Sequence, residues 1–470
     1  MQISKQKYKT LVSDMRLDAE AYMPIYIEIE KTLKGKTYTT LGTEAKSYKK
    51  GIFDINAECY CDASFPNAVP FVRILNLKNM VIDTTDIAYI PDEEHKKNIN
   101  TALLKNDLIL SKTAIPACSL VTVPECNTSQ DTIAVRLKSK SLIKTHFLVV
   151  FLNSYYGKNQ MKRWFTGNIQ MHLNLTDSKT IIIPVLKDDF QNYITQIFKE
   201  SISIINKANL LYLKSEELLL SELDILNWHP KHKLSYVKNF SDVSISNRYD
   251  AEYFQPKYDE IIEKIKSYSG GWDTLENLIK IHDKNTVPEK DVEYNYIELS
   301  NISKNGEITG STVDFGYNLP TRARRFVNTN DVIASSVEGS LDSIALITSE
   351  YDKSFCSTGF YVLTSNFYNP ETLLCILKLP LGQLQLKKGC SGTILTAISK
   401  EELGKIVLPK IKKEIQEKNK ENIQKMYKYK YQSKQLLEIA KRGVEIAIEE
   451  NEDIATEWIN EQLLKIGVTL

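Results

Sequence analysis

The stretch RYDAEYFQPKYDEIIEKI, Arg248–Ile265, repeats the stretch RLDAEAYMPIYIEIEKTL, Arg16–Leu33, at an offset of about 232 positions. The identical pairs are Arg16/Arg248, Asp18/Asp250, Ala19/Ala251, Glu20/Glu252, Pro24/Pro256, Tyr26/Tyr258, Glu28/Glu260 and Ile29/Ile261. Chance seldom writes one helix twice in this way. If the match marked only a common helix, the sequence downstream of each copy would diverge in type and order.

It does not diverge. VPFVRILNL at Val69–Leu77 meets YNYIELSNI at Tyr294–Ile302, both β-rich runs that end in Asn and an aliphatic residue. NDLILSKT at Asn106–Thr113 meets NDVIASSV at Asn330–Val337, again a turn followed by an apolar strand. TGNIQMHLNLTDSKTIIIPVL from Thr166 meets SGTILTAISKEELGKIVLPKI from Ser391, which aligns Gly167 with Gly392 and Pro184 with Pro409. KDDFQ at Lys187 and KKEIQ at Lys412 then open the next helix in each copy. These later blocks share an offset of about 225, so one linker after the opening helix differs by several residues between the copies, and the chain reads as two homologous halves.

Each half therefore runs from a short helix through a strand-rich domain to a long helix, an α+β organisation of two pseudo-symmetric halves. The proline of IIIPVL and of IVLPKI ends the last strand, because it cannot donate to a ladder and disfavours helix just before it. In the first long helix an apolar stripe follows steps of four and three through Phe190, Ile194, Ile197, Ile204, Ala208, Leu211, Leu218 and Ile225, interrupted by Ser201, Ser215 and Glu222. In the second it follows Ile423, Met426, Leu437, Ala440, Val444 and Ala447, broken by Lys430 and Ser433. Both stripes predict coiled-coil seams. A helix of about forty residues is about 60 Å long, longer than a small domain is wide, so the two helices are expected to pack on each other as a spacer. NWHPKHKLSYVKNFSDVSISN from Asn227 is polar, contains proline and has no helical period, which predicts a linker.

The composition, 42% hydrophobic and 25% charged over 470 residues, predicts a globular chain of several domains. The apolar run FLVVFL, Phe147–Leu152, falls far short of a membrane span, and MQISKQKYK has no apolar signal core. No membrane association and a cytoplasmic location are expected. The seven cysteines form no CxxC pair; Cys59 with Cys61, and His229 with His232, lack further ligands nearby, so no metal is expected. A net charge of +1 excludes a uniformly basic nucleic-acid binder, yet Lys405–Lys434 is lysine-rich and Glu445–Glu461 acidic, so local fields remain.

Catalytic constellations are missing. There is no P-loop GxxxxGK[ST] and no GxGxxG after a strand. There is no Pro-Pro of the kind an amino-methyltransferase uses to grip a flipped base. PDEEHKK at Pro91 lacks the strand a nuclease carboxylate cluster needs and is expected to be a surface loop. GCSGT at Gly389 lacks the context of a nucleophile elbow. No catalytic residue is assigned.

What remains is a binding protein with two similar readers. Recognition of double-stranded DNA needs cations for phosphates and amide, guanidinium or hydroxyl groups for base edges. In the first half Lys162 and Arg163 stand beside Asn168 and Gln170 around a glycine turn, with Lys112 and Thr113 after the NDLIL strand and Arg73 after VPFV. In the second half Lys387 and Lys388 stand beside Ser391 and Thr393 around Gly392, with Ser336 after NDVIA and Arg322, Arg324 and Arg325 in TRARR. The supporting elements repeat while the loop chemistry differs, as two readers of different short sequences require.

The duplicated order of RxDAExxxPxYxE helix, YIELSNI-like strand, NDVIxS strand, [TS]G turn, IxxP stop and long helix resembles the specificity (S) subunit of type I restriction-modification systems, over essentially the whole chain. The resemblance implies an N-terminal helical segment at 1–37, a first target recognition domain at 38–186, a spacer helix at 187–228, a linker at 229–247, a repeated helical segment at 248–268, a second target recognition domain at 269–410, and a second spacer helix with C-terminal tail at 411–470. It implies that the long helices pair as an antiparallel coiled coil and that the chain reads a bipartite DNA target. It also implies partners: two modification subunits carrying S-adenosylmethionine that methylate adenine N6, and restriction subunits using ATP and Mg, with no cofactor on this chain. The copies diverge at Met23/Gln255 and Ile25/Lys257, so the two partner surfaces need not be equivalent. Two alternatives stay open: the specificity subunit of a two-component system with a fused methyltransferase-nuclease partner, and a coiled-coil adaptor that binds no DNA.

Overall fold

Both copies of the opening repeat fold alike. Pro24 and Pro256 begin the helices Pro24–Lys34 and Pro256–Lys266, where a fixed φ suits the first turn and the missing N–H has no intrahelical partner to lose. Just before them Asp18 Oδ1 accepts from the Ala21 amide and Asp250 Oδ1 from the Tyr253 amide, each at 3.0 Å. Ile29 and Leu33 in the first helix, and Tyr258, Ile261 and Ile265 in the second, are buried. The computed structural model describes residues 18–52, 55–78, 80–113, 115–167, 171–246, 248–392 and 396–470; Arg16 lies outside them.

By contacts the chain divides into two units, 1–205 with 430–470, and 206–429. Each takes part of both long helices, Asp188–Glu222 and Lys413–Glu449. The architecture is mixed α+β, with strand-rich sheets and long helices.

In the first unit a six-stranded sheet runs Ala45–Lys50, Thr132–Leu137, Leu108–Ser111, Cys118–Leu120, Val81–Ile82, Leu77–Lys78. A four-stranded sheet runs Ala88–Ile90, Val69–Val72, Glu125–Thr128, Leu103–Leu104. Val72, Ile82, Leu103, Ile109 and Cys126 form one part of the core, and Ile52, Phe71 and Ile90 another. FLVVFL lies in the buried helix Thr145–Asn153. No helix among the described residues is long and apolar enough to cross a membrane.

In the second unit the corresponding sheets run Ile279–His282, Phe360–Ser365, Val332–Ser335, Ile344–Leu346 and Thr312–Phe315, Glu293–Ile297, Ser354–Ser357, Ala323–Val327. Their core holds Ile297, Val327, Ile333, Cys356 and Val362. Several local devices are identical in the two units. Asn106 and Asn330 both adopt the left-handed region, φ 73° and 74°, which asparagine tolerates better than most residues. The following aspartates hold the turns, Asp107 Oδ2 accepting from the Leu104 amide and Asp331 Oδ2 from the Asn328 amide, each at 2.8 Å. Gln160 brackets Ile182, donating to its carbonyl and accepting from its amide, as Gln385 does with Val407. The strand Tyr38–Thr40 pairs with Ile182–Pro184, and Trp272–Thr274 with Val407–Pro409, so each proline does close its strand.

Three expectations are corrected. PDEEHKK is the helix Asp92–Lys97 rather than a loop: Lys96 pairs with Asp92 one turn away, and His95 is buried. The linker contains the short helix Phe240–Ser246, closed by Ser246 Oγ donating back to the Asp242 carbonyl. The buried stripe of the first long helix follows the predicted residues as far as Ala208 and then shifts to Tyr212, Ser215, Leu219 and Leu223, leaving Leu211 and Leu218 half-buried. A helix of 3.6 residues per turn drifts against a strict seven-residue repeat, and the steps of four, three, four and four through 208, 212, 215, 219 and 223 follow the drift. Of the polar interruptions, Ser433 Oγ donates to the Ser201 carbonyl at 2.9 Å in the first unit, whereas the buried Ser215 Oγ of the second has no partner among the described residues.

Candidate nucleic-acid interface

Each unit carries one hairpin around a glycine with φ near 135°, Gly167 at 134° and Gly392 at 135°. A Cβ is strained at such a backbone angle, which explains glycine at both points of the repeat. The hairpins are Phe165–Thr166 with His172–Leu173, and Cys390–Ser391 with Ala397–Ile398. The fold brings the post-strand residues to them. The Leu173 amide donates to the Lys112 carbonyl at 2.7 Å, and Thr113 bridges to His172. The Ile398 amide donates to the Ser336 carbonyl at 2.9 Å, and Val337 bridges to Ala397. Two segments named separately in the sequence thus converge in each unit.

Within these clusters the named side chains have different surroundings. Lys112 is half-buried and Thr113 buried. Ser336 Oγ donates to the Gly359 carbonyl at 3.0 Å, and Ser391 is exposed. Asn168, Gln170 and Thr393 lie outside the described residues.

Of the four candidate cations named on the helices that lead into the hairpins, Lys162 and Lys387 are exposed. The other two reach inward. Arg163, 8% exposed, donates through Nε to the Ala21 carbonyl at 2.9 Å and pairs through Nη1 with Glu30 Oε2 at 2.5 Å. Its counterpart Lys388 pairs with Asp259 Oδ1 at 3.1 Å. Burial alone would raise the Glu30 carboxyl, but hydrogen bonds from Lys34 and Arg163 outweigh it and hold the group below the usual carboxylate range. Asp259 is lowered in the same way, burial being outweighed by Lys238 and Lys388. In both units the second cation therefore fastens the repeated helix to its domain.

The TRARR arginines lie at and in the strand Ala323–Val327. Arg322 is exposed; Arg324 donates to the Ala323 carbonyl at 3.3 Å. Arg325 is half-buried, and its Nε and Nη1 have no hydrogen-bond partner among the described residues. Arg73 donates through Nη2 to the Asp86 carbonyl at 3.2 Å, and its Nε is likewise without a partner among them. Among the described residues these two guanidinium groups thus keep donors without an acceptor.

Two further cations were missed in the sequence. Lys46 and Lys50 are exposed on Ala45–Lys50, the edge strand of the six-stranded sheet. The signal was present: in AKSYKK, residues 46 and 50 share one face of a strand. Among the described residues no three His, Cys, Asp or Glu side chains are grouped to hold a metal.

Solved S subunits are similar to this chain. The S subunit of a type I restriction-modification system from M. genitalium matches 86% of this chain and 94% of its own, at 14% identity and a TM-score of 0.40. The HsdS subunit from Thermoanaerobacter tengcongensis matches 91% of this chain and 96% of its own, at 14% identity and a TM-score of 0.26. A chain from a structure of type I R-M complex assembly and conformational transition matches 91% of this chain and 97% of its own, at 14% identity and a TM-score of 0.27. No family model and no curated protein sequence matches the chain.

Proposed function

We propose that this chain is the DNA-reading specificity subunit of a type I restriction-modification complex, with one target recognition domain in each half and no catalytic role of its own. The observation that carries the reading is duplication with divergence. The same glycine hairpin, asparagine turn and glutamine bracket recur in both units, while the exposed chemistry around them differs. A protein that reads two different short sequences needs this combination, because the elements that position the reader must be constant and the groups that meet base edges must not.

In this reading exposed lysines such as Lys46, Lys50, Lys162 and Lys387 hold phosphates, and hydroxyl, amide and guanidinium groups near the hairpins and on the TRARR strand meet bases. Each wrong base pair then costs about 1–3 kcal/mol. The long helices run antiparallel as the spacer between the two readers. Contacts inside the first unit support that polarity: Ser433 Oγ donates to the Ser201 carbonyl, and a Cβ on Gly443 would lie 3.9 Å from Ile194 Cδ1, so one helix descends in number as the other ascends. The partners are two modification subunits, which supply S-adenosylmethionine and methylate adenine N6, and restriction subunits, which use ATP and Mg. A base hidden in the duplex must be flipped for that methylation, a step that belongs to the modification subunit. The location is cytoplasmic, where these partners and their DNA are.

The test is to co-express the chain with the modification subunit of its own genome and to map methylated adenines across the host DNA. Two short defined motifs around a fixed unspecified gap are expected. An intact complex with no motif, and no duplex binding at low salt, would replace this reading with the protein adaptor.

A further inference from the structure

The first unit holds a cavity of about 400 Å³ whose walls include Tyr60, Cys61, Asp62, Arg73 and Tyr89. That volume lies at the small end of the range of ligand pockets, and suits one heterocycle better than a peptide. The wall is ordered by the fold. Tyr60 packs edge-on against the buried Phe71, ring centroids 5.7 Å apart, and the Cys61 amide donates to the Tyr89 carbonyl at 3.0 Å. The Arg73 backbone amide donates to Asn76 Oδ1 at 2.9 Å, which fixes where its side chain begins, and Nη2 donates to the Asp86 carbonyl at 3.2 Å. Its Nε is buried with no partner among the described residues. Tyr60, Arg73 and Tyr89 are half-buried and Asp62 is exposed, so the groups remain reachable from outside.

The second unit shows that this chemistry is not part of the repeated fold. There the Glu298 amide donates to Asn301 Oδ1 at 2.7 Å, in the turn that Arg73 and Asn76 make in the first unit, so glutamate replaces the arginine. Tyr89 pairs with Pro70, three residues before Arg73; Val313 pairs with Asn295, three residues before Glu298. Valine therefore replaces the tyrosine. A purely structural cavity would not need an arginine and an aromatic ring that the sister domain does without.

Tyrosine rings offer faces on which any base stacks. A guanidinium suits the O6 and N7 acceptors of guanine, and a carboxylate accepts from the N1–H and N2–H donors of the same base. We propose that this cavity is a nucleobase site, and that it takes a guanine displaced from the stack of the target DNA. The inference rests on the DNA-reading function proposed above, and it adds a specificity contact that only the first half makes.

The cavity supplies its own reporter. Cys61 lies in its wall, whereas Cys59 is half-buried two residues away and the other five thiols are buried. The intact wild-type chain is alkylated with iodoacetamide, and Cys61 and Cys59 are followed by mass spectrometry. The probes are dGMP, dCMP, deoxyribose 5-phosphate, inorganic phosphate, and a duplex carrying the methylation motif. The expected result is that dGMP and the duplex slow Cys61 at least fivefold while Cys59 is unchanged, and that dCMP, the sugar phosphate and phosphate do little. Tyr89→Ala and Arg73→Met should abolish the protection with the melting temperature preserved; if either variant fails to fold, the wild-type labelling decides alone. Equal protection by inorganic phosphate would reduce the cavity to an anion site and overturn the proposal. Protection by dGMP but not by a bound duplex would assign the cavity to a free nucleotide and overturn its DNA source. If the duplex binds and Cys61 is untouched by every probe, the nucleobase site is wrong and DNA reading stands; if no duplex binds, it is the DNA-reading function that fails.

Discussion

Neighbouring cations at the mouth of each hairpin have opposite surroundings. Arg163 and Lys162 follow one another in KNQMKRW and carry the same charge, so their sequence context could not say which turns inward and which stays in solvent. What separates them is the helix: consecutive residues point about 100° apart, which turns Arg163 to Ala21 and Glu30 and leaves Lys162 in solvent. Arg163→Met takes one of two cationic donors from the partly buried Glu30 carboxylate and the guanidinium donor from the Ala21 carbonyl, and is expected to lower stability by about 2 kcal/mol, read from the denaturant midpoint. Lys162→Met should change stability by less than about 0.5 kcal/mol and instead reduce the salt slope of duplex binding by about one. The reverse assignment would show that Arg163 leaves its pocket to meet DNA. The pH dependence of stability gives a second readout. Because the folded Glu30 carboxyl is held below its usual value of 4.5, its stabilisation is fully present above that pH and is lost as the pH falls through the lower folded value. Arg163→Met should therefore flatten the loss of stability below about pH 4.5; an unchanged acid limb would mean that Lys34 alone holds the carboxylate.

The order of elements was legible from the repeat, because a duplicated helix, strand, turn and proline stop carry their own alignment. Pairing partners were not, since nothing local in FTG or CSG says that the hairpin will lie beside Lys112 or Ser336. The long helix shows where periodicity fails. Its seam can be followed on steps of four and three to Ala208, but LLYLKSEELLL offers leucines on every face, and composition does not say which of them turns inward. Packing chooses Leu219, fully buried, and leaves Leu218 half-buried. Leu219→Ala should then cost about 2–4 kcal/mol, in the range of large-to-small core changes, and Leu218→Ala well under half of that by the same thermal or denaturant melt. Equal costs would restore the predicted seam. The helix pairs beneath the hairpins give a second test at this scale. A Cβ on Gly382 would meet the Ile376 carbonyl oxygen at 2.5 Å and Leu377 Cα at 2.6 Å, and Gly157 faces the same groups of its own unit, the Phe151 oxygen and Leu152 Cα. Gly382→Ala is expected to cost about 1–3 kcal/mol as overpacking against backbone that cannot give, whereas Gly339→Ala, with nothing within 4 Å, should melt close to wild type.

For the whole molecule the decisive quantity is length. If the long helices are the spacer between two readers, the unspecified gap in the DNA target is set by the rise of a helix, 1.5 Å per residue, against 3.4 Å per base pair. One heptad inserted in each long helix adds about 10 Å, or about three base pairs, and keeps the apolar face near its original orientation because seven residues are close to two turns. Ala208 and Met426 are buried on the two long helices of the second unit, and they are suitable insertion points. Only the gap should respond. The two short motifs read by the domains are expected to stay as in the wild type, since no residue of either hairpin changes, while the gap between them in the methylation map grows by about three base pairs. A four-residue insertion at the same points rotates the downstream part of each helix by about 40° relative to the upstream part; it should move the apolar face and weaken methylation at every spacing. If the heptad variant methylates the wild-type gap with wild-type efficiency, the helices do not measure distance, and the two readers must be held apart by their partner subunits instead.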